Sequence, residues 1–109
     1  MPVVPTILFV TSEPAHRFLY EQGLKQHFQL VFIRPGAASV QNAVAIVCDL
    51  SRSDSSSWFP WIEGLGLPVV VLTPEPRLPL PQAERQRVLE YPVSAQELLR
   101  ALAELGVTP

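Results

Sequence analysis

Ala45-Ile46-Val47-Cys48-Asp49-Leu50-Ser51-Arg52 runs four apolar side chains into a single carboxylate. A strand with one wet face alternates apolar and polar residues, whereas one covered on both faces is apolar throughout. Residues 44 to 48 therefore predict a strand inside a parallel sheet, with Asp49 delivered to its carboxyl end. The stretch sets a question: is Asp49 a reactive group, or an acid with a structural role?

Outward from this stretch short β-rich runs recur at Val4 to Val10, Phe28 to Ile33, Pro68 to Leu72 and Arg87 to Glu90, most of the set apolar throughout, with helical patterns between. Buried strands alternating with helices predict the α/β class, a doubly wound five-stranded parallel sheet. The first helix is expected to start with Ser12 as N-cap and Pro14 in its first turn, where the missing N–H does no harm. Its core stripe is Tyr20, Leu24 and Phe28. The last helix is marked by the capping box Ser94 to Glu97, an apolar face of Leu98, Leu99, Leu102 and Leu105, and a stop at Gly106. Residues 34 to 42 leave room for only a turn or two, so the second helix is expected to be shortened. Trp58 to Leu65 predicts another short helix. Residues 73 to 81, T-P-E-P-R-L-P-L-P, hold four prolines and cannot be helical. A rigid extended segment is expected in place of the fourth helix.

The 109 residues suit one domain spanning residues 1–109. No run approaches the roughly 20 apolar residues of a membrane span. The opening M-P-V-V-P-T-I-L-F-V has no basic segment or small-residue cleavage site, so it is expected to be a strand and not an export signal. Cys48 is the one cysteine and cannot form an internal disulfide, which fits an expected cytoplasmic location. A net charge of -2 without any Lys/Arg cluster argues against a nucleic-acid or anionic-membrane surface.

In open parallel sheets the working groups stand at the carboxyl ends of the strands. Those positions hold Thr11, Ser12 and Glu13 after the first strand, Asp49 after the third, Thr73 after the fourth, and Tyr91 with Pro92 after the fifth. With I-L-F-V-T-S-E-P at residues 7–14, V-V-V-L-T at 69–73 and Y-P-V-S-A-Q-E-L-L-R-A-L at 91–102, nearly the whole chain resembles the receiver domain of bacterial two-component response regulators. The resemblance implies a flavodoxin-like strand order 2-1-3-4-5. It also implies an aspartate after strand three that takes phosphate from a histidine kinase, two acids after strand one that hold Mg²⁺, a Thr or Ser after strand four and a Lys after strand five.

Asp49 matches the phosphoacceptor and Thr73 the hydroxyl, but Thr11 and Ser12 stand where the metal-binding acids belong and Tyr91 where the lysine belongs. Phosphoryl transfer to a carboxylate brings anionic oxygens onto an anionic nucleophile, and so depends on a divalent cation and a fixed positive charge. Neutral hydroxyls are poor Mg²⁺ ligands. The residues therefore predict a degenerate pseudo-receiver. In it Asp49 is a retained strand-end acid bonding nearby N–H or hydroxyl groups, and Tyr91, before a proline that permits a cis peptide, is expected to be a partly buried tyrosine with a bonded hydroxyl, its phenol able to fill the lysine's space. Glu13 is the one acid that could join Asp49 in a weak metal site.

Cys48 reads as a small buried hydrophobe, and His16 and His27 as solvated helix residues without ligand spacing. Three large aromatics at Trp58, Phe59 and Trp61 are not expected all to point inward, so one is expected to be exposed as a partner contact. The expected function is a phosphorylation-independent signalling or scaffolding module. It is expected to act by binding another protein through Trp58 and Trp61 or through Arg77, Leu78 and Leu80 of the proline segment, with a homodimer admitted. No cofactor, metal or catalytic residue is expected, and the chain is not expected to be an enzyme. Two alternatives stand beside this reading: a weakly phosphorylatable receiver using Asp49, and a small-ligand sensor using the crevice of Thr11, Ser12, Asp49, Thr73 and Tyr91.

Overall fold

The computed structural model describes residues 4–11, 14–33, 43–50, 58–74, 80–91 and 93–108. The chain runs β1 (Thr6–Val10), α1 (Pro14–Leu24), β2 (Gln29–Phe32), β3 (Ala43–Asp49), α2 (Phe59–Gly64), β4 (Val69–Thr73), β5 (Gln86–Glu90) and α3 (Ala95–Glu104). All strand pairs are parallel and the order is β2-β1-β3-β4-β5, as expected.

The unbroken apolar runs have their explanation in the two faces of this sheet. Along β1, β3 and β4 alternate side chains enter different cores, so a polar side chain there must find a buried partner, which along these strands is met only toward their carboxyl ends. Ile7, Phe9, Ala45, Val47, Val70 and Leu72 pack with Tyr20 and Leu24 of α1 and Leu98, Ala101 and Leu102 of α3. Leu8, Val10, Ile46, Cys48, Val69 and Val71 pack on the opposite face against Ile62 of α2. The doubly wound arrangement follows from that alternation.

α3 forms as its sequence predicts. The Ser94 side chain accepts from the Glu97 N–H at 3.1 Å, and Glu97 Oε1 accepts from the Ser94 N–H at 3.4 Å. Gly106 takes φ 84, the left-handed value that closes the helix. The stripe Tyr20, Leu24 and Phe28 is buried as expected, although α1 ends at Leu24 and Phe28 follows a turn in which its N–H reaches the Leu24 carbonyl at 2.9 Å. Between the two helices the space is tight: a Cβ at Gly23 would lie 2.2 Å from the Ala95 Cβ. The expected Ser12 cap, the turn within 34–42 and most of the proline segment lie outside the described residues.

The expectation of one exposed aromatic is corrected. Trp58, Phe59 and Trp61 are all partly buried against the α2-side core, together with Leu65 and Leu80. The reason is helical geometry: positions 58, 61, 62 and 65 fall on one face at i, i+3, i+4 and i+7, with Phe59 beside it and Pro60 turned outward. No described helix is long and apolar enough to cross a membrane.

Candidate functional site

Parallel register brings the strand ends level. Val10 lies opposite Cys48, Asp49 opposite Leu72, and Thr73 opposite Glu90. The ladder continues one residue past the strands, with Leu50 N–H to the Leu72 carbonyl at 2.8 Å and Tyr91 N–H to the Thr73 carbonyl at 2.9 Å. Tyr91 is thereby fixed by its backbone before its side chain makes any contact, and its ring reaches across to Asp49.

Asp49 and Thr73 are the two buried polar side chains of the described core, each at 0% exposure. Thr11 Oγ1 donates to Asp49 Oδ2 at 2.5 Å, and the Tyr91 phenol donates to Oδ1. Both carboxylate oxygens are thus held by hydroxyls from the ends of β1 and β5. Tyr20, on α1, extends the group: its hydroxyl donates to the Val93 carbonyl at 3.3 Å and lies in hydrogen-bond contact with the Tyr91 hydroxyl. The periodicity of α1 predicts Tyr20 as a core residue and no more. Its polar end became visible only once the sheet order placed residue 20 beside residues 91 and 93.

The electrostatics follow from a buried anion among phenols. Burial raises the Tyr91 hydroxyl pKa far above its ordinary 10.0, and the bond to Asp49 and that residue's charge raise it further. Tyr20 is also raised, first by burial and then by Asp49, with the Tyr91 hydrogen bond working in the opposite direction. Cys48 is pushed up to about 12 by burial, with Asp49 adding to the effect. A thiol held neutral in this way is no nucleophile, in keeping with its reading as core.

The described groups suit a divalent cation poorly. Asp49 meets a neutral hydroxyl at each of its oxygens, and no cluster of three or more His, Cys, Asp or Glu exists among the described residues. Ser12 and Glu13 lie outside the described residues, as do Arg77 and Leu78. Trp58, Trp61 and Leu80 are half-buried on the α2 face, packed against its core.

No protein-family model and no curated protein matches the chain. Solved structures do. A CheY-like protein (tadZ) from Pseudomonas aeruginosa PAO1 is 23% identical, with TM-score 0.75 over 94% of this chain and 99% of its own. The signal receiver domain of an HD domain-containing protein from Pseudomonas fluorescens Pf-5 is 24% identical, with TM-score 0.73 over 94% of each chain. A CheY-like response regulator receiver domain from Methylobacillus flagellatus is 19% identical, with TM-score 0.74 over 94% of this chain and 99% of its own. The protein therefore has the CheY-like receiver fold, with a strand-end site in which hydroxyl groups close around the aspartate.

Proposed function

We propose that the protein is a pseudo-receiver: a signalling or scaffolding module that acts by binding another protein and does not take phosphate on Asp49. The observation that carries this reading is the fully buried Asp49 with both oxygens accepting from Thr11 and Tyr91. An incoming phosphoryl group would have to displace both hydroxyls and enter without the charges that normally offset its own. The same two bonds tie the ends of β1, β3 and β5 together, so the domain has a site already set in one arrangement. A cytoplasmic setting and the absence of enzyme activity go with this reading.

Partner contact is assigned to the protein's surface and away from the strand-end crevice. Residues 74–81, including Arg77 and Leu78, remain the candidate segment. Trp58, Trp61 and Leu80 contribute only what their half-buried rings and side chain leave outside the core.

Incubation with Mg²⁺ and a small acyl phosphate, followed by intact-mass measurement, tests the proposal, with Asp49→Asn as the blank. The mass is expected to stay unchanged; an adduct present in the parent and absent from the blank would make it a working receiver. A small-ligand sensor would declare itself differently, by a thermal shift with a ligand that is lost in Thr11→Val and Tyr91→Phe.

A further inference from the structure

Tyr20 and Tyr91 are the chain's two tyrosines, and their hydroxyls meet although they lie far apart in the sequence. They are held unequally. Tyr20 is 1% exposed, and its ring stacks on Phe9 at 5.6 Å, which in turn meets Phe32 at 5.3 Å. Core packing thus fixes the place of the Tyr20 hydroxyl. Tyr91 is only half-buried, packed at the margin of the same core, one residue beyond β5. An amphipathic ring so placed has two destinations for its hydroxyl, the buried carboxylate and water. Each phenol has one proton to give. That of Tyr20 goes to the Val93 carbonyl at 3.3 Å, which leaves the Tyr20 oxygen as an acceptor facing Tyr91. The Tyr91 proton therefore meets two buried acceptors together, Asp49 Oδ1 and Tyr20 Oη.

We infer that Tyr20 is a positioning residue, a latch on α1 that holds the Tyr91 ring as a closed lid over Asp49. The inference rests on the proposed reading of Asp49 as an enclosed acid, and adds what keeps it enclosed. Neither β5 nor Thr11 does this for the phenol: the bond from the Tyr91 N–H to the Thr73 carbonyl fixes that residue's backbone alone, and Thr11 serves the other carboxylate oxygen. The latch travels with α1. That helix is seated closely against the start of α3, where a Cβ at Gly23 would lie 2.2 Å from the Ala95 Cβ. A displacement of α1 carries the Tyr20 oxygen away from Tyr91 and from the Val93 carbonyl at once, and the lid loses one of its buried acceptors. The state of the site is thus set by the seat of α1 and not by phosphate on Asp49.

Nitration of the full chain by tetranitromethane near pH 8, located by peptide mass mapping, tests the inference. The reagent attacks the phenolate of rings that reach solvent, and the chain has no third tyrosine to confuse the reading. Both tyrosines are expected to react slowly in the parent protein, because burial disfavours the phenolate. Tyr20→Phe keeps a ring on Phe9 and removes the oxygen. It is expected to raise the nitration rate of Tyr91 about tenfold or more, the gain in phenolate that a fall of one pKa unit gives. Tyr91→Phe should leave Tyr20 slow, since the core and not Tyr91 holds it. Ile62→Val lowers stability from the opposite face of the sheet without touching either phenol, and Tyr91 should stay slow in it. An unchanged Tyr91 rate in Tyr20→Phe overturns the inference. So does an equal rise in Ile62→Val, which would make the exposure a general loosening. Rapid nitration of Tyr20 in Tyr91→Phe also overturns it, because Tyr91 would then be the shield and Tyr20 the residue held. None of these rates passes through phosphate, so failure here is distinct from the Asp49 adduct that would overturn the pseudo-receiver reading.

Discussion

Tyr91 and Asp49 show how much a single side chain settles when it stands at a strand end. The carboxylate has 0% exposure, and one of its oxygens accepts from the Tyr91 phenol, so loss of that hydroxyl leaves a buried charge with one donor fewer and no water to replace it. Tyr91→Phe is expected to lower the unfolding free energy by about 1–3 kcal/mol, measured by denaturant titration. Thr11→Val should cost a similar amount through the other oxygen. Because both act on one carboxylate, the double variant should be non-additive, and a strictly additive pair would mean that the two hydroxyls do not share Asp49. The identities at 11, 49 and 91 are legible in the sequence, and so is their departure from the acids and lysine of the receiver domains that the chain resembles. The bonds among them are not, since residues 38 and 42 apart in the chain meet only through strand order.

At the scale of elements, the capping box and apolar stripe of α3 were plain in sequence because caps and helical periodicity act over a few residues. The contact between α1 and α3 was not, because it depends on where two distant helices land on the sheet. Gly23 lies in the last turn of α1, where alanine would ordinarily still be favoured, by up to about 1 kcal/mol. The 2.2 Å separation from the Ala95 Cβ reverses that preference. Gly23→Ala is expected to destabilise the protein by about 1–3 kcal/mol, with Ala95→Gly in the same chain returning most of the loss in thermal melting. A melting temperature unchanged by Gly23→Ala would mean that α1 and α3 are not in such contact. The aromatic cluster of α2 is the converse case: three large rings in four residues suggested a surplus, yet a six-residue helix packed on the sheet buries each of them in part.

For the molecule as a whole, the buried hydroxyl and thiol groups predict its response to alkali. Tyr20 and Tyr91 have folded-state pKa values above the ordinary 10.0, and Cys48 is raised from 9.0 to about 12, so the folded state keeps protons that the unfolded chain releases. Stability from these groups is complete below about pH 9, falls as Cys48 ionises in the unfolded chain, and falls more steeply once the unfolded tyrosines ionise past about pH 10. Denaturation midpoints measured from pH 7 upward should decline from pH 9 on. Cys48→Ala should remove the first part of that decline and leave the steeper tyrosine part. A flat profile to pH 11 would contradict the burial of all three groups.

The sequence by itself determined the layered α/β class, the number of strands and their order through its resemblance, and the placement of Asp49, Thr73 and Tyr91 at strand ends. These follow from alternation, capping and short motifs, which are encoded within a few residues of where they act. Only the tertiary structure decided that Asp49 is enclosed by Thr11 and Tyr91, that Tyr20 reaches the same group, and that the α2 aromatics turn inward. Each of these is a relation between segments far apart in the chain, and the sheet order and register that bring them together are properties of the folded molecule.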